Sequence, residues 1–121
     1  VRSRDLFSPG LYQAGLDPGR VLYAEARDDA DLLALMEDGL RHRGLGAVIG
    51  EVKRVSMAST RRLQLAAEGG STPALLLKRA MREGGDPLAM PSAAVTRWQV
   101  ASVPSVPVPW DGLGRPCWRL S

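Results

Sequence analysis

The chain has a single cysteine, a single histidine and a single phenylalanine among its 121 residues. Cys117, being alone, excludes an intramolecular disulfide and points to a reducing, cytoplasmic setting. His42 has no second histidine or cysteine to complete a zinc ligand set, and no Gly-x-Ser-x-Gly elbow supports serine hydrolysis. No apolar run approaches the roughly 18 residues of a membrane-spanning helix, and residues 1–15 lack the apolar middle of a secretory signal. The Gly-x-x-x-x-Gly-Lys-Ser/Thr loop that cradles nucleotide phosphates is also missing. The chain opens on Val1 rather than Met and closes at Ser121 after a strand-like run, so we expect a fragment of a longer protein.

What is present is enough for one modest core, with 45% hydrophobic residues. The net charge of +3 is unevenly spread: residues 1–44 hold six basic and eight acidic side chains, residues 45–121 ten basic and five acidic ones. The second part is therefore the one suited to phosphate or an acidic partner.

Local patterns predict the elements. Ser8-Pro9 opens a short helix with Ser8 as cap, Gly15 stops it in a left-handed conformation, and Asp17-Pro18-Gly19 turns the chain. Val21–Ala24 reads as a buried strand. Asp28 to Arg43 reads as a helix: acids crowd its first turn, bases its last, and Leu32, Leu33, Met36 and Leu40 form an apolar stripe. Gly44 is the expected stop. Ala47–Val52 is a strand, and Ser56 or Ser59 caps a helix ending at Gly69-Gly70 with Leu63, Ala66 and Ala67 inward. Ala74–Leu77, continuously apolar, predicts a strand buried on both faces. Residues 80–93 read as a mobile loop. Residues 94–102 alternate and suggest a strand near a sheet edge with Trp98 in the core. Pro104, Pro107 and Pro109 mark an extended arm, and Pro116–Leu120 a last strand. We thus expect one truncated α/β domain over 1–121: a helix and turn (1–20), a βαβαβ core (21–79) with right-handed crossovers and a parallel sheet, the loop, and the C-terminal strands (94–121).

The run Leu45–Val52 ends in Glu51 and is followed by a helix, the layout of the metal-coordinating strand in RecA-type ATPases. Further strings, Gly15–Leu22, Ala47–Glu51, Thr60-Arg61-Arg62-Leu63-Gln64-Leu65-Ala66-Ala67-Glu68, Ser92–Trp98 and Gly112–Trp118, resemble the C-terminal two-thirds of the ImuA family, across roughly residues 10–121. The resemblance implies a RecA-like, largely parallel sheet flanked by helices on both faces, lacking its phosphate-loop strand. It implies a role in the SOS response, in damage-induced, error-prone translesion DNA synthesis and mutagenesis. The implied partners are a Y-family-like polymerase subunit and an error-prone C-family polymerase, with RecA as a further one. It also implies that a central strand is missing between residues 74–79 and 94–102, leaving two edges that self-associate or close onto each other.

With no phosphate cradle, Glu51 is a vestigial metal and nucleotide position rather than a retained ligand; no metal, no cofactor and no enzymatic activity are expected. Lys53, Arg54, Lys78, Arg79 and Arg82 follow strand ends, which share one rim in an open α/β sheet. DNA contact there would be weak, electrostatic and without sequence preference, and the set lacks the aromatics that a single-strand platform needs for base stacking. Arg61 and Arg62 sit near a helix start, against the dipole, and are candidates for partner or DNA contact; an internal ion pair with Glu68 is the competing reading. Trp110, in the proline-rich arm, is the best aromatic candidate for an interface. The reading is of a non-catalytic interaction module; a truncated ATPase domain and a nonspecific DNA-binding module are the alternatives.

Overall fold

A computed structural model describes residues 7–79 and 89–121. Helix α1 spans Ser8–Gln13, α2 Asp29–Arg41, β1 Val48–Val52, α3 Met57–Gly70, β2 Ala74–Lys78, β3 Val100–Val103 and β4 Cys117–Leu120. The class is α/β. Strands β1 and β2 pair in parallel, Val48 opposite Ala74 and Val52 opposite Lys78. Strands β3 and β4 form a separate antiparallel ribbon, Val100 opposite Leu120.

Capping chemistry sets the helix starts. Asp28 accepts from the Asp31 amide at the head of α2, and Ser56 accepts from the Ser59 amide at the head of α3. Each side chain satisfies a backbone donor that the helix itself leaves unpaired. At α1 the cap position is Phe7, and Ser8 is already helical, so no side chain caps that helix. Gly15 does turn left-handed, at φ 89. At the end of α2 the left-handed residue is Arg43, at φ 58, rather than Gly44.

The stripe on α2 packs as its spacing predicts. Met36 and Leu40 join Leu63 and Ala66 of α3 in the core, with Leu32, Leu33, Val48, Ala67, Ala74 and Leu76 against them. Along β1 and β2 the side chains alternate between faces. Val48, Val52, Ala74 and Leu76 face the helices, whereas Ile49, Leu75 and Leu77 are 60%, 52% and 52% exposed. The expectation that 74–77 is buried on both faces is therefore corrected: both packed helices lie on one side of the sheet, so every second residue looks away from them.

Three further expectations change. Residues 21–24 form no strand; Leu22 and Tyr23 are exposed, so the run has no sheet to join. Trp98, expected in the core, is 62% exposed and precedes β3. The strand at 74–78 and the C-terminal strand do not close onto each other: β3 takes β4 as partner, and among the described residues the other edge of β2 carries no strand. The proline-rich stretch connects β3 to β4 as a hairpin arm. The loop expected at 80–93 falls largely, and Arg82 wholly, outside the described residues.

Candidate interaction surface

Parallel pairing places the carboxyl ends of β1 and β2 side by side. Glu51, Lys53, Arg54, Lys78 and Arg79 consequently share one rim, as the strand-end argument predicts, and all are exposed. Glu51 and Arg79 lie on the sheet face that the helices leave open. The Arg79 Nε sits 2.6 Å from Glu51 Oε1, and its Nη2 donates to Oε2 at 3.2 Å. This is the planar fork that guanidinium and carboxylate share. Lys78, one residue earlier, falls on the opposite face beside Val52.

The backbone beyond β1 is fixed from the other side. Asp29, in the first turn of α2, accepts from the amides of Lys53 at 3.2 Å and Arg54 at 2.9 Å. A carboxylate that sequence analysis assigned only to the helix dipole thus also ties the start of α2 to the rim. Nothing in its local pattern distinguishes it from Asp28 or Asp31; the contact is 24 and 25 residues away in the chain.

Arg61 and Arg62 are separate from this rim and from each other. Arg61 donates to Gln64 Oε1 at 2.7 Å, and Gln64 in turn donates to Glu68. Arg62 reaches α2 instead, where its Nη2 lies 2.6 Å from Glu37 Oε2. The internal ion pair considered for these arginines exists, but the acid is Glu37, not Glu68. Arg41 holds the other oxygen of the same carboxylate. Glu37 was not singled out from sequence, although the Glu37–Arg41 spacing of four was a legible signal. Trp110 is elsewhere, in the β3–β4 connection, and 67% exposed.

The pKa shifts that stand out lie at the amino end of α2. The Arg27 amide and then its guanidinium hydrogen-bond Asp31 and hold that carboxyl below its usual range; the bond to Asp31 raises Arg27. Among the described residues no group of three or more His, Cys, Asp or Glu side chains is placed to hold a metal ion, and no helix is long and apolar enough to cross a membrane.

No protein-family model matches the chain. It is 41% identical over 125 aligned residues to Protein ImuA of Caulobacter vibrioides, strains NA1000 / CB15N and ATCC 19089 / CIP 103742 / CB 15, covering 99% of this chain and 51% of the relative. The chain thus spans about half the length of the curated relatives it matches. Among solved structures, SulA from Pseudomonas aeruginosa is similar at 30% identity and a TM-score of 0.56, over 63% of this chain and 64% of that one.

Proposed function

Because this chain belongs to the ImuA family, we propose that it acts in damage-induced mutagenesis as a non-catalytic interaction module. The observation carrying the non-catalytic half is the state of Glu51. Both of its oxygens are engaged by Arg79. A carboxylate that serves Mg²⁺ in a nucleotide site must offer its oxygens to the metal or its waters, opposite phosphate. Here the strand-end acid faces a fixed cation of its own chain. We read it as the remnant of a RecA-like strand end, turned to structural use.

The interaction half rests on the rim. Lys53, Arg54 and Lys78 stand exposed at one end of the sheet, and Asp29 pins the backbone of the first two. Such a patch steers and docks an acidic surface. The partners we propose are the Y-family-like polymerase subunit and the error-prone C-family polymerase of translesion synthesis, with RecA as a further one, in the cytoplasm. The test is a pull-down of the full-length protein with those polymerase subunits. Replacing Lys53, Arg54 and Lys78 together by Glu is expected to abolish capture at an unchanged melting temperature. Full capture by the triple variant would sink the assignment of this rim.

The same charges favour a second reading, weak DNA contact without sequence preference. It predicts an affinity for single- or double-stranded oligonucleotides that falls steeply and linearly on a log–log plot against salt. An affinity independent of salt would exclude it.

A further inference from the structure

The carboxyl ends of α2 and α3 meet closely, and an open cleft of about 650 Å³ lies where they converge, lined by Glu37, Arg41, Arg43, Arg62, Leu65 and Ala66 together with Gly69 and Gly70. Three guanidinium groups and one carboxylate line it, so the side chains of its lining carry a net positive charge. The carboxylate is the organiser. Glu37, whose side chain is 10% exposed, accepts from Arg41 at one oxygen and from Arg62 at the other. Arg43 is held separately, its Nη2 donating to the Gly69 carbonyl at 3.2 Å. The Arg41 and Arg62 side chains remain 64% and 69% exposed. A guanidinium carries five N–H donors, so each arginine keeps donors for a further acceptor after its internal contact. Leu65 adds an exposed apolar lip on the same cleft.

We infer that this cleft is a docking site for an acidic peptide segment, in which a carboxylate bridges Arg41 and Arg62 and a neighbouring apolar side chain rests on Leu65. The inference rests on reading the chain as an interaction module and names the chemistry of one partner. Three features select this ligand. Planar forks match carboxylates two bonds at a time. Arginines already anchored by Glu37 lose less side-chain freedom on binding than free ones. The apolar lip, with no aromatic side chain in the lining, suits a leucine-like residue better than a nucleic-acid base, which needs a stacking surface. Glu37 is a positioning residue here: it aims the arginines and does not itself meet the ligand.

The test is direct binding to this chain, measured by fluorescence anisotropy. The probes are a labelled twelve-residue peptide of mixed Asp, Glu and Leu, its counterpart with Lys in place of the acids, and a labelled oligo-dT. The acidic peptide is expected to bind and the lysine peptide not. Arg41→Gln combined with Arg62→Gln is expected to weaken the acidic peptide by about tenfold or more. Since those changes touch Glu37, Leu65→Asp supplies an independent variant on an exposed position; it should weaken the peptide comparably at an unchanged melt. Arg115→Gln with Arg119→Gln, exposed positions of the β3–β4 ribbon that do not line the cleft, should leave peptide affinity as it was. Peptide affinity that survives both cleft variants overturns the inference, as does oligo-dT binding with the same dependence on Arg41, Arg62 and Leu65. Failure of the polymerase pull-down with peptide binding intact would instead count against the partners proposed above and leave the cleft assignment standing.

Discussion

Gly70 decides how closely the two packed helices approach. A Cβ added there would sit 1.9 Å from the Leu40 carbonyl oxygen, an atom of rigid backbone that has nowhere to retreat. Gly70→Ala should therefore prise α2 from α3 and cost about 1–3 kcal/mol, as overpacking of a close contact does; a urea melt measures it, and an unchanged midpoint would show the helices free to slide. The neighbouring arginines separate in the same way. Arg61 is exposed and donates to Gln64, so Arg61→Ala should change stability by about 0.5 kcal/mol or less. Arg62→Ala removes one of two partners of a nearly buried carboxylate. Its guanidinium is largely in water, which tempers the loss, so we expect about 1 kcal/mol. Equal melts for the two variants would mean that Arg41 alone satisfies Glu37.

At the scale of elements, the amino end of α2 is where charge and structure are most tightly linked. Asp28 caps the helix and Arg27 grips Asp31 through its amide and its side chain. Because the carboxyl of folded Asp31 is held below its ordinary value of 3.8, the folded state binds protons less readily than the unfolded one. The contribution of this contact is complete above the ordinary range and disappears as the pH falls through the lowered value. Carboxyl NMR should find Asp31 titrating below the ordinary value, and Arg27→Gln should raise it only part of the way, because the backbone amide that is the larger cause remains; a parent midpoint at or above the ordinary value would refute the contact. Both packed helices and the strands β1 and β2 were legible in the sequence because each carries its own signal: a cap, a dipole-matched charge pattern, a stripe. The strand expected at 21–24 had only a short apolar run, which says nothing about whether a neighbouring strand exists. Likewise the apolar run of β2 could not reveal that helices pack on one face alone. The rim of Lys53, Arg54, Lys78 and Arg79 was legible, since parallel pairing forces strand ends together. The Glu51–Arg79, Glu37–Arg62 and Asp29–Lys53 contacts were not, because partners 24 to 28 residues apart leave no local trace.

Across the whole molecule, burial among the described residues is concentrated in one place. The buried apolar residues Met36, Leu40, Val52, Leu63 and Ala66 belong to α2, β1 and α3, and the half-buried ones packed around that cluster come from α2, β1, α3 and β2. None comes from the ribbon. Residues 94–121 contain no buried side chain, and Trp98, Trp110 and Trp118 are all exposed. Just before the ribbon, the Ala93 amide donates to Thr60 Oγ1 of α3 at 3.0 Å. Apolar burial is the main source of folding free energy, at roughly 25 cal/mol per Å², so a segment that buries little contributes little. Ending the chain after Ala93 should therefore leave a cooperative melt with a midpoint within a few degrees of the parent. Leu76→Asp, by contrast, places a charge against the core cluster, and should cost several kcal/mol, a large part of the roughly 5–15 kcal/mol that holds a domain together. The pair of variants is read by far-UV circular dichroism during heating. If the truncated chain loses its transition while Leu76→Asp keeps one, the folding unit would include the ribbon, and its exposed tryptophans would have to be packing against the core in solution.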